Sequence, residues 1–438
     1  MSYARTSSGI ALPVAVDRRP GRSWSPWTCT FPARPSDEQA QLRKVSLAWA
    51  LLFFNVLGSG TASVLHIPHS VERVMTQGAL LAAFALALAV NPRARARPNV
   101  LMVLYSLLAV LSLMMSVRFV SLGTDYRAFR LAGFVVVLWL LTPWWGAGGS
   151  VLLRSQLNFI AIILVSAALG VLASPGQAFS GGRLSDVIWS LPPTQVAHFA
   201  MELAGVTLVL WICGLVRRRP AIAVIVPSVA IVLLTHTRTA LIGGVVALVI
   251  ACSSLFTASR RVRRIFVAGV LVVGVLSVPL SPFIVNYLAR GESGSQLTSL
   301  TGRTSHWQLV LDEKRPETNK VLGSGMSNDW IQGQAIDSSW LDVYQNQGLV
   351  GDLIVGSTLL FMLLLALFRP RGPARAVALY LVVYCLLASF TEDGLGEASQ
   401  YMMDMVLAAS LLIPGRVALK LPRWLSPEQK ANAELAVP

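Results

Sequence analysis

The sequence contains few charged residues: Asp, Glu, Lys and Arg together make up 13% of 438 residues. Soluble domains carry about 25% charged residues, so this composition excludes an ordinary soluble enzyme. Hydrophobic residues make up 54%, which excludes a disordered protein, because disorder requires low hydrophobicity and high charge. The composition therefore predicts a membrane protein.

Cysteine is also scarce. The four cysteines, Cys29, Cys213, Cys252 and Cys385, fall in apolar stretches or in segments predicted to face the cytoplasm, and no pair is placed for a disulfide. No Cys/His spacing is typical of a zinc site. The predicted outer loops also contain no DxD-like cluster of carboxylates. We therefore predict no metal site and no other cofactor.

Twelve apolar stretches occupy much of the chain and predict an all-α polytopic protein with about twelve transmembrane helices. Each stretch approaches the roughly 20 residues that a spanning helix requires, and the alternating pattern of a membrane β-barrel is absent. The stretches lie at roughly 44–64, 72–90, 99–117, 127–142, 155–173, 194–216, 221–236, 239–256, 265–283, 347–368, 376–391 and 399–414.

The positive charges that produce the net charge of +15 are concentrated on one predicted side of the membrane. Most of the 36 basic residues lie in short segments on one side of a twelve-span arrangement. Short basic loops stay in the cytoplasm, so we expect both termini there and no nucleic-acid partner. The same charges would attract anionic membrane lipids. Residues 1–43 and 415–438 are predicted to be cytoplasmic tails, the first of them disordered and basic.

Residues 284–346 form a long polar segment between 44–283, with nine predicted helices, and 347–414, with three. Connections of this length are usually functional, so we predict an extracytoplasmic cap that contains short helices. A shorter outer loop spans 174–193. We expect any chemistry to lie between these loops and the outer helix ends.

Two arginines are candidates for anion binding. Arg238 lies in THTRTALIGG, between two apolar stretches, where a charge is costly and tends to be functional; the alternative is an arginine that snorkels to the interface. Arg303 opens TGRTSHWQLVLDEKRP, a predicted amphipathic helix with Trp307, Val310 and Leu311 on one face. It is either a second anion contact or a solvated residue at a helix start.

Other residues of the long segment could take part. His306 could carry a proton near neutral pH, although a lone His is more often structural. Asp337 could be a general base, a helix N-cap, or both. Gly323 and Gly325, in VLGSGMSND, suit a tight turn whose free N–H groups could form an anion nest.

Further arginines flank the predicted outer loops. Arg118, Arg127 and Arg130 surround a short loop with Asp125 as their expected partner, and Arg183 lies in the 174–193 loop. Several arginines that converge above a membrane suit a diphosphate headgroup.

His198 and Glu202 lie one helical turn apart inside the sixth stretch. We therefore expect them to pair, either as an intramembrane functional site or as a structural pair.

In order and placement these motifs resemble the O-antigen ligase and polymerase superfamily of bacterial membranes. Asp337-Ser338, then nine residues, then Gly348-Leu-Val-Gly351 is similar to the family's His-Asn/Ser/Gln, nine residues, Gly-x-x-Gly pattern, with Asp in place of the ligases' His. The Thr-Arg-Thr run at Arg238, the Gly-Arg pair at Arg303, the Gly-Ser-Gly turn at 323–325 and GGRLSDVIWSLPPTQVAHFA are also similar. The motifs that resemble the family lie within roughly residues 170–355. The rest of the chain resembles the family only in its predicted topology of twelve spans and one long loop.

The resemblance implies a GT-C-like glycosyltransferase of the bacterial cytoplasmic membrane, with its active site on the outer face. The donor would be an oligosaccharide linked to a polyprenyl (undecaprenyl) diphosphate, and the acceptor a second glycan. Arg238 and Arg303, assisted by Arg183, would bind the diphosphate, and Asp337 would accept the proton of the attacking hydroxyl. The reaction would invert the anomeric centre and polymerise repeat units of a surface polysaccharide, with a chain-length regulator as a candidate partner.

Two alternatives remain open. A ligase would transfer a finished glycan to a lipid or protein acceptor by the same donor chemistry. A secondary transporter or lipid-linked sugar flippase belongs to another class, and intramembrane charges such as Glu202 and Arg118 fit a translocation path. Against the transporter, two halves with matching Gly/Pro-broken spans are absent from the sequence.

Overall fold

A computed structural model of the protein describes residues 35–57, 69–118, 122–146, 149–257, 260–289, 303–326, 330–331 and 334–413. The described chain is nearly all helical. Residues 1–34 of the predicted N-terminal tail, the tail 415–438, and Cys29 lie outside the described residues. The described residues from Gln41 onwards form one compact unit.

The described segments contain fifteen α-helices and one two-stranded antiparallel ribbon, in which Trp330 lies opposite Ala335. The helices are α1 (Pro35–Asn55), α2 (His69–Val90), α3 (Val100–Arg118), α4 (Leu122–Leu141), α5 (Gly149–Ala173), α6 (Pro175–Ala178), α7 (Pro193–Ile212), α8 (Arg218–Thr235), α9 (Arg238–Leu255), α10 (Arg260–Ala289), α11 (Arg303–Asp312), α12 (Glu317–Leu322), α13 (Ser339–Phe368), α14 (Pro373–Ala388) and α15 (Gln400–Leu412). The strands are β1 (Trp330–Ile331) and β2 (Gln334–Ala335).

Among the described residues, seven helices are long and apolar enough to cross a membrane: α3, α4, α5, α7, α8, α9 and α13. Several large apolar side chains on these helices are exposed on the surface of the protein. Examples are Leu172, Leu353 and Phe368, which are 80%, 70% and 85% exposed. Such surfaces suit contact with lipid. The all-α class is thereby confirmed, and the protein is suited to a membrane. Each of the twelve apolar stretches overlaps a helix, while their number as spans stays a prediction.

The first helix starts earlier than predicted. Composition assigns residues 1–43 to a disordered tail, yet α1 begins at Pro35. Proline is favoured at the first helical position, and the segment that follows, SDEQAQLRK, contains mostly good helix formers and no glycine. Local propensity therefore extends the helix beyond its apolar part.

The centre of the bundle is α7, which packs against α8, α9 and α14. A Cβ atom on Gly205 would lie 2.0 Å from the Tyr380 ring, and the Tyr380 hydroxyl donates to the Met201 carbonyl at 2.7 Å. Small residues of this kind let helix backbones approach closely. The positions of α7 and α14 relative to each other therefore depend on Gly205.

The helix α13 is interrupted at Gly348, whose φ and ψ are 66° and −168°. At the break, the carbonyl oxygens of Gln345 and Asn346 accept hydrogen bonds from the amides of Ser324 and Gly325, both at 3.0 Å. The long polar segment therefore packs directly on the first half of α13.

Candidate functional site

The loop 389–399, between α14 and α15, contacts several of the residues that the sequence analysis identified as candidates, or their neighbours. The Ser339 amide and hydroxyl donate to the Glu392 carbonyl at 2.9 and 2.7 Å. The start of α13, directly after Asp337, is thereby fixed to the loop. We call residues 183, 235–239, 337–342 and 389–399 the polar site.

The turn between α8 and α9 brings Arg183 and Arg238 together. Arg238 is the first residue of α9, after the N-cap Thr237. Arg183 donates from Nε to the Thr235 carbonyl at 3.0 Å and from Nη2 to Thr237 Oγ1 at 3.1 Å. A positive side chain opposes the dipole at a helix N-terminus, so Arg238 is poorly placed for helix stability but well placed for an anion, which the dipole would also stabilise.

The same turn also contacts loop 389–399 and α10. Thr391 Oγ1 donates to Thr239 Oγ1 at 2.8 Å. Tyr287 Oη donates to the Leu233 carbonyl at 2.7 Å, and its ring stacks on His236 with centroids 4.9 Å apart. The arginine-bearing turn is thus held on three sides by other elements.

Arg183 itself lies in a loop shaped by Asp186. The fully buried carboxylate of Asp186 accepts hydrogen bonds from Ser166 Oγ at 2.6 Å and from the Ile188 amide at 2.8 Å. Burial raises the pKa of Asp186, and these hydrogen bonds oppose the rise. Asp186 also pairs with Leu191 through two backbone hydrogen bonds. The Asp is therefore a structural centre of the loop.

Asp337 is exposed, and the N-cap of α13 is Ser338. The predicted capping role of Asp337 is therefore wrong by one residue, whereas its predicted role as a base is untested. A buried carboxylate follows in the first turn: Asp342, 2% exposed, accepts from Asn346 Nδ2 at 2.7 Å. The sequence reasoning missed Asp342, although Asp and Asn four residues apart on a helix start are a recognisable signal.

The arginines of α4 have partners within the protein. Arg127 Nη2 lies 2.8 Å from Glu397 Oε2. Arg130 donates to Asn55 Oδ1 at 3.1 Å and to the Ala398 carbonyl at 3.3 Å. These contacts anchor loop 389–399 to α4 and to the end of α1. The side chain of Asp125, their predicted partner, lies outside the described residues, and Arg118 ends α3 as an exposed residue.

The expected pairing of His198 with Glu202 is not formed. His198 Nδ1 hydrogen-bonds Tyr384 Oη at 2.5 Å, and Nε2 lies 3.8 Å from Glu392 Oε1. Within the described chain, His198 Nε2 is buried and has no hydrogen-bond partner. The two residues are neighbours on α7 because they lie one helical turn apart. However, His198 contacts α14 and loop 389–399, whereas Glu202 contacts α5 and α15.

Glu202 instead belongs to a buried carboxyl pair. It accepts from Gln156 Nε2 at 2.6 Å and from Gln400 Nε2 at 2.9 Å. Gln156 Nε2 also donates to Asp404 Oδ1 at 2.5 Å, and both carboxyl groups are fully buried. The sequence reasoning missed Asp404, a single acidic residue within the last apolar stretch, which is a default signal for function.

Gly323 and Gly325 form the predicted tight turn, with φ of 86° and 80°. Their amides donate to the carbonyls of Asn319 at 2.8 Å and Asn346 at 3.0 Å. The Gly323 amide closes the end of α12 and the Gly325 amide packs the turn on α13, so neither N–H group is free to form the predicted anion nest.

The predicted helix at Arg303 is confirmed as α11. The side chains of Arg303 and His306 lie outside the described residues. Of the predicted apolar face, Val310 is buried, Trp307 is half-buried and Leu311 is exposed. Leu311 therefore does not belong to the packed face, which turns towards α13.

A further arginine of this segment, Arg315, was missed. Its side chain is 5% exposed, and Nε donates to Glu313 Oε2 at 2.7 Å. It also donates to Gln345 Oε1 and lies 5.3 Å from the ring centre of Tyr344. Arg315 therefore fastens the segment to α13.

No protein-family model matches the chain, and no curated protein matches its sequence. Among the described residues, no group of three or more His, Cys, Asp or Glu is placed to hold a metal ion. The geometry of the polar site is therefore the basis for inferring function.

Proposed function

We propose that the protein is a glycosyltransferase of the O-antigen ligase and polymerase type, with a GT-C-like fold of twelve spans. It joins oligosaccharide repeat units carried on a polyprenyl diphosphate into a bacterial surface polysaccharide. The observation that carries the proposal is the meeting of Arg183 and the α9 start at Arg238, where Arg183 Nη2 reaches Thr237 Oγ1 at 3.1 Å.

The two arginines would bind the diphosphate of the donor. Guanidinium groups match phosphate oxygens in a two-point geometry, and the N-terminus of α9 adds a partial positive charge. Negative charge develops on the diphosphate as the sugar leaves, so donors aimed at this position lower the barrier. Arg303 would add a third cation from α11. With these charges the transfer needs no metal.

The transfer itself is a single displacement. The hydroxyl oxygen of the acceptor glycan bonds to the anomeric carbon as the bond from that carbon to the diphosphate oxygen breaks. The electron pair stays on the diphosphate, the configuration inverts, and a carboxylate takes the hydroxyl proton. Asp337 is the base that the family resemblance favours.

The proposed setting is the bacterial cytoplasmic membrane, with both termini in the cytoplasm and the polar site on the outer face. The segment with α11 and α12, which packs on α13, would cover the bound donor and exclude water. Membrane lipids and a chain-length regulator are the proposed partners.

Arg238→Ala is the test. A deletion strain would receive the wild type, Arg238→Ala, or Arg218→Ala at matched membrane levels; Arg218 is a matched control because it starts α8, at the opposite end from Thr235. Loss of one charge-stabilising donor typically costs about 100-fold or more in rate, so Arg238→Ala should give single repeat units where the wild type and Arg218→Ala give a ladder. A normal ladder from Arg238→Ala would refute the proposal.

The ligase alternative differs in its product. Purified protein supplied only with lipid-linked repeat units should lengthen them if it is a polymerase. A ligase leaves their length unchanged without a second acceptor.

A proton-coupled transporter or flippase is the second candidate, and the buried pair of Glu202 and Asp404 favours it. Uptake into proteoliposomes distinguishes the classes. A transporter moves substrate in a manner that depends on Glu202, and it forms no glycosidic bond.

A further inference from the structure

The side chain of His198 is 4% exposed, and its Nε2 has no hydrogen-bond partner among the described residues. The nearest acidic atom that the structure places beside this nitrogen is Glu392 Oε1, at 3.8 Å. A buried ring nitrogen without a hydrogen-bond partner lowers the stability of the folded protein. A role in the chemistry of the site would explain why the nitrogen is placed here. The other ring nitrogen is occupied by Tyr384 Oη at 2.5 Å.

We propose that Glu392, together with His198, is the proton acceptor of the transfer reaction. This inference rests on the proposed function and assigns to Glu392 the base role that the family resemblance favours for Asp337. Glu392 would be the catalytic residue that meets the acceptor hydroxyl. His198 would be a positioning residue that also takes the proton onwards.

Position favours Glu392 over Asp337. The neighbouring Thr391 bonds Thr239, next to Arg238, so loop 389–399 is attached at the arginine turn. The Glu392 side chain is 15% exposed, whereas Asp337 is exposed. A base in the less open position accepts a proton from the acceptor with less competition from water, which would otherwise hydrolyse the donor.

As the acceptor oxygen bonds to the anomeric carbon, its proton moves to the Glu392 carboxylate, and the electron pair of the broken bond stays on the diphosphate. With Nδ1–H directed at Tyr384 Oη, the Nε2 lone pair of His198 faces Glu392 and can take that proton once the 3.8 Å separation shortens to a hydrogen bond in the substrate complex. The imidazolium then lies beside a carboxylate, which stabilises it, and water removes the proton before the next cycle.

Among the described residues, titratable side chains approach the pair from α7, α14, α15 and the loop itself. Tyr384 contacts His198 from α14, Tyr401 of α15 has its ring centre 5.8 Å away from that of His198, and Asp393 follows Glu392 in the loop. Glu202 lies one turn along α7. Tyr384 and Tyr401 are therefore the residues whose rings lie beside the His198 ring.

The experiment measures lengthening of lipid-linked units by purified full-length protein across pH. Glu392→Gln should lower kcat by about 100-fold or more, the range for loss of a general base, while KM for the donor changes little. His198→Gln should lower kcat while KM for the donor changes little, because His198 acts through Glu392. Asp337→Asn is measured in parallel, and Arg218→Ala, which lies outside the polar site, should stay within about threefold.

A fold defect is tested separately. Glu392→Ala should regain part of its activity with added formate, because a small carboxylate can replace the missing base, and an unfolded variant cannot respond. Full activity of Glu392→Gln, or a loss confined to Asp337→Asn, overturns the inference. Suppose that the wild type lengthens lipid-linked units and Arg238→Ala does not. Either of these two results then refutes only the role of Glu392 and leaves the proposed function intact. If the wild type makes no glycosidic bond, the proposed function itself fails.

Discussion

Glu202 and Asp404 approach one amide nitrogen, that of Gln156, at 2.6 and 2.5 Å within the buried core. Two negative charges at such short range in a site of low dielectric repel each other strongly. A neutral amide at either position removes this repulsion. We therefore expect the hydrogen bonds of Glu202 to contribute more to the stability of the protein than its negative charge does. Mutation can separate the two contributions.

Glu202→Gln should change the free energy of unfolding by less than about 1 kcal/mol, because neutral replacement of buried charge is often tolerated. Glu202→Ala should cost about 2 kcal/mol or more, since it leaves the Gln400 amide and one of the two N–H groups of the Gln156 amide without an acceptor. Thermal unfolding in detergent compares the variants. Equal losses for Gln and Ala would show that the charge itself is required.

At the scale of elements, the break in α13 connects the long polar segment to the bundle. A Cβ atom on Gly348 would lie 2.5 Å from the Gly323 amide nitrogen and from the Val321 carbonyl. The backbone of Gly348 is also in a region that side chains rarely adopt. Close approach and conformation together require glycine here.

Gly348→Ala should lower the free energy of unfolding by roughly 3 kcal/mol or more, from backbone strain together with overpacking. Gly356→Ala on the same helix is the matched control, because its Cβ would meet only the Trp340 ring at 3.7 Å. Protease cleavage between 303 and 326 offers a second measurement, since the turn at 323–325 should detach first. Similar stability of both variants would contradict the role of the break.

At the scale of the whole molecule, the basic segments predict which ends of the helices face the cytoplasm. Arg218 begins α8 and Glu313 follows α11, and both are exposed. In the proposed orientation they lie on opposite faces of the membrane. This arrangement can be tested without any assumption about catalysis.

In a variant whose own cysteines are replaced, Glu313→Cys should react with a membrane-impermeant thiol reagent on spheroplasts. Arg218→Cys should react only after the membrane is permeabilised, because the positive-inside rule places that segment in the cytoplasm. Labelling is read by mass shift on a gel. Reaction of both residues from the same side would contradict the proposed topology.

The positions of the helices can be predicted from the amino-acid sequence alone. Each apolar stretch overlaps a helix, and α11 was predicted from Arg303 onwards. Helix hydrogen bonds join residues four apart, so local composition is sufficient to find them. The early start of α1 at Pro35 was missed because the apolar pattern was read alone, without the propensity of the polar residues before it.

Only the tertiary structure decided which polar groups meet. The i, i+4 rule paired His198 with Glu202, but their partners are 186 and 198 residues away, at Tyr384 and Gln400. The amides of Ser324 and Gly325 cannot be paired from the local sequence, because the carbonyls that accept them, at the break in α13, lie elsewhere in the chain. Loop 389–399, which links the arginine turn to the start of α13, has no apolar or motif signal of its own. A buried polar group must find a partner wherever packing supplies one, and packing depends on contacts between segments distant in the sequence.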